Sequence, residues 1–320
     1  MHLTCWTILI LLAAFPQGRA ILHAGWARPE PDARRLRSPH TRLFHDRMLI
    51  RAGFEMAFEC PGPAPMLLQV HVRPEREPDL QAPERIETAP FTPHNTYIDG
   101  FGNRCTRLLT PAGHFRLSNL FTIRDTGVQE TLPWGARQTP VNELPDAILV
   151  YLLGSRYCDT DRLATLAWSL FGNIEPGWSR VHAVLDYVHG RIMFGYQYAR
   201  ADRVASECHQ EKVGVCRDFA HLLITLCRCL NIPARYCTGY LGDIGVPADP
   251  TPMDFSAWAE VFLDGAWHTV DARHNTPRIG RIVMARGRDA TDAAISTVFG
   301  TAKLLTFKVL TEEVRAPESA

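Results

Sequence analysis

Gly214-Val215-Cys216-Arg217-Asp218-Phe219-Ala220-His221 opens the stretch on which the fold turns. Phe219, Leu222, Leu223, Leu226, Cys227 and Leu230 follow at helical spacing, and Asn231-Ile232-Pro233 stops the run. The spacing predicts a helix that starts near Cys216 and presents an apolar face. Gly214 permits a sharp turn or a close approach just ahead of it. A cysteine at a helix start faces unpaired N–H groups and the positive end of the helix dipole, and both favour thiolate. An arbitrary cysteine is most often a small buried hydrophobe. Cys227, Cys229 and Cys237 fit that description, because they lie inside patterned segments. Cys216 does not, because it precedes the first core-facing residue. Asp218, in the first turn, is placed to cap the helix.

Beyond the helix, Ala234–Leu241 reads as a strand and Gly242–Met253 as a loop. Ala257–Leu263, Asp264-Gly265 and Ala266–Ala272 read as a hairpin with the strongest short turn signal there is. A two-residue turn pairs 263 with 266. Counting back from it, Trp258 faces Asp271 and Ser256 faces Arg273. Ser256 and Asp271 are then diagonal neighbours on one face, roughly 7–8 Å apart. His268 falls on the opposite face. His221 lies about 140° around the helix from Cys216 and faces elsewhere. His274 sits in Arg273-His274-Asn275-Thr276-Pro277, a strand end where a turn can bring it back. His209 is within reach if 209–215 is a loop. Gln210, six residues ahead of Cys216, is a candidate oxyanion donor beside the Cys216 N–H; its bland alternative is an exposed loop glutamine.

Toward the N-terminus, 178–192 carries the period of an amphipathic helix, and 147–155 and 161–171 predict short helices. Residues 133–146 contain three prolines and read as a linker. Between 48 and 135 short alternating segments are separated by turn signals: 54–59, the apolar run Met66–Val72, the Gly/Asn turn within 97–104, and Phe115–Ile123. They predict a β-sandwich of about 90 residues. The organisation is a leader (1–47), a β-rich domain (48–135), a linker and connecting segment (136–160), a second domain (161–314) and a tail (315–320). Residues 6–15 are apolar but too short to span a membrane, and no Lys or Arg precedes them. The leader is either a signal plus linker or extra sequence ahead of a start at Met48. The second reading is favoured and places the protein in the cytoplasm; a real signal would export it.

The 320 residues carry a formal net charge of zero, so nothing global draws the chain to nucleic acid or an anionic membrane. Arg278, Arg281, Arg286 and Arg288 form a basic run without aromatic interleaving, and pairing with Asp289 and Asp292 is its simplest role. Nine irregularly spaced cysteines without a CxxC pair suggest neither a disulfide framework nor a structural zinc site.

Gly-x-Cys216-Arg217-Asp218 at a helix start, Ala257-Trp258-x-Glu260-Val261 on a strand and Asp271 on the next resemble the transglutaminase-like superfamily. The closest likeness is to its bacterial branch with a β-rich N-terminal region, over about Met48–Val314. The resemblance implies an α+β fold: a papain-type core with the catalytic cysteine at a helix N-terminus, packed on an antiparallel sheet and preceded by a β-sandwich-like domain. It implies a Cys-His-Asp triad with Cys216 as nucleophile and Asp271 as orienting acid. The histidine position holds Ser256, and serine cannot serve as a base near neutral pH; His274 is the replacement. The implied activity is hydrolysis or acyl transfer at amide bonds of a peptide or protein substrate through a Cys216 thioester. No cofactor or metal is implied, and the calcium of some animal relatives has no acidic loop motif here. Ser256 also supports an alternative, a catalytically silent peptide-binding module.

Overall fold

The computed structural model describes residues 48–314 and, ahead of them, the backbone of strand β1 (Trp6–Thr7). The readings of 1–47 and 315–320 otherwise lie outside the described residues. The β-rich region contains β2 (Met48–Cys60), β3 (Pro65–Leu68), β4 (Glu87–Ala89), β5 (His94–Ile98), β6 (Arg104–Leu109) and β7 (Gly113–Asp125). Helices α1 (Asp146–Leu149), α2 (Thr160–Phe171) and α3 (Trp178–Arg191) follow. Next come β8 (Met193–Phe194), α4 (Ala205–Glu211), β9 (Val213–Gly214) and α5 (Cys216–Cys229). The chain ends in β10 (Ala234–Tyr240), β11 (Ser256–Leu263), β12 (Ala266–Val270), β13 (Ile282–Gly287), β14 (Ser296–Val298) and β15 (Lys303–Glu313).

Alternating sequence gives the sandwich its two faces. Along β7 the odd positions from Phe115 to Ile123 are buried and the even ones face outward. One sheet has the order β1-β14-β3-β6-β5 and the other β15-β2-β7-β4. Their apolar faces enclose Phe58, Met66, Phe115 and Leu117. Two of the strands come from the far end of the chain. β14 pairs with β3, and β15 pairs with β2 from Lys303↔Glu59 to Glu313↔Ile50. The second domain therefore does not run to 314: residues 296–313 complete the sandwich, because β2 and β3 would otherwise be open edges. The 136–160 segment is likewise more than a linker, since Tyr157 and Cys158 are buried in the helical core.

The core sheet is antiparallel in the order β12-β11-β10-β13. Asp264 (φ 51°) and Gly265 (φ 81°) are both left-handed, the conformation of a type I′ turn. They fix the predicted register of Leu263↔Ala266 through Ala259↔Val270. Helix α5 packs on β10 and β11 and is covered by α2, α3 and α4. Every residue from Arg217 to Cys229 is buried, so the expected single apolar face is corrected to burial on all sides. Its Arg228 is paired inside: the guanidinium donates to the carbonyls of Leu153, Ala234 and Arg288.

Phe255 joins the two units. Its ring lies 6.0 Å from Phe54 of β2, 5.5 Å from Phe307 of β15 and 5.0 Å from Tyr240 of β10. The sandwich thus supports the residue next to Ser256. The basic run is taken up by carboxylates from several elements: Arg278 by Asp243, Arg281 by Asp271 and Glu130, Arg286 by Glu260 and Glu75. Only Arg288 meets one of its expected partners, Asp292 at 2.8 Å.

Candidate active site

The start of α5 is built by a reciprocal contact. The Val215 N–H donates to Asp218 Oδ2 at 2.9 Å, and the same oxygen accepts from Arg203 Nη1 at 2.9 Å. Asp218 folds back over Gly214, where a Cβ would lie 2.7 Å from the Asp218 Cβ and 2.8 Å from Oδ2. Gly214 is therefore a space requirement, and the capping role read for Asp218 is observed. Gly214→Ala should displace Asp218 and destabilise the protein by about 1–3 kcal/mol, as overpacking does. A thermal or urea melt reads this, and a change under about 0.5 kcal/mol would show that the helix start yields without cost.

Cys216 is the first residue of α5 and keeps part of its surface in the cleft. Enough protein surrounds it that burial pushes the thiol up to about 11. The Arg273 charge and the Ala257 N–H oppose that rise, while Asp254 and Asp271 add to it. Desolvation thus works against the thiolate that the helix start favours.

β12 ends at Val270, one residue before the predicted Trp258–Asp271 pair. Asp271 turns out of the strand instead, and its Oδ1 accepts the N–H groups of Arg273 and His274 at 2.9 and 3.2 Å. That turn brings His274 back. Its Nδ1 lies 2.8 Å from Asp271 Oδ2, which also accepts from Arg281 Nη2 at 2.8 Å. Burial alone would raise the Asp271 carboxyl, but Arg281 and the His274 contact hold it well below the usual carboxylate range. Arg281 is itself fixed by Glu130 and lies over the Trp258 ring, 4.8 Å from its centre.

Ser256 opens β11 and is buried, and its Oγ has no partner among the described residues. It lines two adjoining cavities. A narrow one of ≈ 60 Å³ contains Cys216, Tyr236 and Ala257; a wider one of ≈ 250 Å³ contains Arg273 and His274. Asp254 and Tyr196 line both as well. Cys216 and His274 thus line two chambers of one cleft, and Ser256 lines both. No histidine among the described residues bonds to Cys216 Sγ; the ring contacts of His189, His209, His221, His268 and His274 all go elsewhere.

Other expectations divide. Gln210 and His209 lie on α4, not on a loop. Gln210 is exposed and lines neither chamber. His209 bonds to the Tyr187 hydroxyl at 2.7 Å. The Glu207 carboxylate accepts the Val204 N–H at 3.2 Å, a helix-start contact that draws this segment into α4. His221 is a core histidine, stacked on Tyr157 at 5.0 Å and accepting the Ala290 N–H; burial pushes it down to about 3. His268 meets the Leu263 carbonyl, away from the cleft as expected.

Sequence reading passed over Asp254, Tyr196 and Arg273. Asp254 stands two residues before Ser256, and period-two alternation would have put both on one side of an extended segment. Burial pushes its carboxyl up to about 7 against the Phe255 N–H and Arg273. Burial and the nearby Asp254 push the Tyr196 hydroxyl up to about 12. Arg273 stacks on Phe194 at 3.9 Å.

Comparison with known proteins agrees with the fold. The model of the transglutaminase-like superfamily matches residues 164–272, which include Cys216, Ser256 and Asp271 but stop short of His274. An uncharacterised protein of Mycobacterium leprae is 29% identical over 226 residues, 66% of this chain and 77% of that protein. The crystal structure of a candidate cysteine protease from Cytophaga hutchinsonii is similar with a TM-score of 0.73 at 29% identity. That likeness covers 86% of this chain and 93% of the other, too large a share for the helical core alone.

Proposed function

We propose that this chain, which belongs to the transglutaminase-like superfamily, is a thiol acyl-transfer enzyme acting on amide bonds of peptides or proteins. The observation that carries the reading is His274, held by Asp271 at 2.8 Å and lining the chamber that shares Ser256 with the chamber of Cys216. In this reading the base has moved from strand β11 to the turn after β12, and serine at 256 leaves room for it.

Burial works against the Cys216 thiolate, so attack is helped by a proton acceptor. His274 Nε2 takes the Cys216 proton as sulfur bonds to the substrate carbonyl carbon, and the carbonyl π pair moves to oxygen. The Cys216 N–H, at the first position of α5, has no helical partner and is placed to receive that oxyanion. Collapse breaks the C–N bond, and imidazolium returns its proton to the departing amine. Water or a second amine then attacks the thioester, giving hydrolysis or transamidation. Asp271 holds the imidazole and offsets its charge.

An activated acyl ester tests this by mass spectrometry of the intact protein. Wild type should acquire one acyl group on Cys216, Cys216→Ala none, and His274→Ala should acylate about 10²–10⁴-fold more slowly. A second reading, the silent peptide-binding module, draws on the absence of a histidine bonded to Cys216. It is favoured instead if wild type and His274→Ala acylate at the same slow rate.

A further inference from the structure

β5 (His94–Ile98) is the last strand of its sheet and pairs, among the described residues, with β6 alone. The direction of its free backbone groups can be read from the ladder. The Asp99 N–H donates to the Asn103 carbonyl, which is the next pair of the same register, so the odd residues turn toward β6. His94, Thr96 and Ile98 therefore turn their N–H and C=O groups outward. Residues 95–98 are all exposed, so this edge is open among the described residues.

An open ladder recruits another strand, and natural sheets guard against this with charge, proline, shortness or a covering segment. The other edges whose side chains are described are guarded. β15 carries Lys303, Lys308, Glu312 and Glu313, and β4 is three residues long and begins with Glu87. β13 is covered, since its Val283 and Arg286 carbonyls accept from the Arg73 N–H and from Asn103 Nδ2. β12 lies against α3, whose Trp178 and Leu185 line one small cavity with Thr269 and Val270. Within β5 the sequence His94-Asn95-Thr96-Tyr97-Ile98 has no Lys, Arg, Asp, Glu or Pro. Its surroundings are apolar as well: Ile98 is 54% exposed, and Phe91, three residues ahead of the strand, is 84% exposed.

We propose that β5 is a self-association edge: two copies of this chain join β5 to β5 antiparallel across a two-fold axis, and two five-stranded sheets become one of ten. The inference goes beyond the acyl-transfer reading and does not rest on it. The strand is complementary to itself. With the axis at Thr96, Thr96 faces Thr96 of the second copy, His94 faces Ile98 and Asn95 faces Tyr97, so no like charges meet. Every outward residue then opposes an outward residue, and about six ladder hydrogen bonds form. A shift by one residue turns the outward groups past one another, and a shift by two leaves some of them unpaired. The contact is one short strand pair with its flanks, below a standard interface in area, so its dissociation constant should be about 10 µM.

Sedimentation velocity of the full-length protein tests this. Wild type should be largely monomeric at about 1 µM and largely dimeric at about 100 µM. Thr96→Lys and Thr96→Asp each set like charges opposite one another at the axis, and each alone should weaken association about tenfold or more. Mixed one to one, the two variants should form a heterodimer at least as tight as the wild-type dimer, which a variant that failed to fold could not do. Thr96→Pro removes only an outward N–H, which an edge strand tolerates. It should keep the wild-type near-ultraviolet circular dichroism and stay monomeric at about 100 µM. Wild type that remains monomeric at that concentration overturns the self-pairing and leaves the edge to a strand from another protein. A dimer that survives all three substitutions overturns it too, as do folded charge variants that stay monomeric when mixed.

Discussion

Asp271→Ala should destabilise the protein by about 3–5 kcal/mol and abolish measurable acylation of Cys216. Asp271 and Arg281 are side chains only 4% and 6% exposed, joined at 2.8 Å. Removing the carboxylate leaves a buried guanidinium whose Nη1 already has no partner among the described residues, with Glu130 as its one remaining counter-charge among them. The loss is therefore an uncompensated buried charge and not merely a missing contact. It also removes the acceptor for two backbone N–H groups and releases the His274 ring. The sign of the pH dependence follows from the lowered carboxyl. Its stabilisation is complete above the unfolded value of about 4 and drains away as the pH falls below that, through the folded value. Urea melts should show the full wild-type advantage at neutral pH and a smaller one in acid. A neutral-pH difference below about 1 kcal/mol would mean that Arg281 finds another partner and that the turn is held by something else.

Removal of residues 303–314 should leave a chain with no cooperative folding transition. β15 lies along β2 over nearly its whole length, and Phe307 and Val309 pack against the sandwich core. Its loss exposes the edge of β2, forfeits about ten ladder hydrogen bonds at about 1 kcal/mol each, and uncovers apolar surface. That sum rivals the whole stability of a typical domain, about 5–15 kcal/mol. Near-ultraviolet circular dichroism and size-exclusion chromatography check it. A truncated chain that melts cooperatively within a few degrees of the full one would show that β7 and β4 suffice to hold β2.

How much of this was legible in the sequence depended on distance along the chain. The β11–β12 register was readable to the residue, because Asp264-Gly265 fixes it locally. Cys216 was readable as a helix start, because Gly214 and Asp218 stand within four residues of one another. The return of His274 toward Asp271 could be foreseen from the strand end, although the Arg281 contact that locks the acid could not. The partnership of β15 with β2 was invisible: antiparallel pairing between 303 and 59 leaves no local trace in alternating sequence. Gln210 stands on a helix and not on a loop, and Glu207 is the helix-start signal its own sequence carries. Asp254 was not legible as a cleft residue, because it precedes β11 and no strand pairing fixes the side it takes.

Phe255 has a consequence for genetics. The ring beside the cleft is held by Phe54, Tyr240 and Phe307, which lie in different parts of the chain and carry no chemistry. A loss-of-function screen of this gene should therefore return hits not only around codons 216, 271 and 274 but also at codons 54 and 307, near the two ends of the sandwich-coding sequence. A map drawn on the linear gene would suggest separate functions for those ends, although both alter the wall beside one thiol.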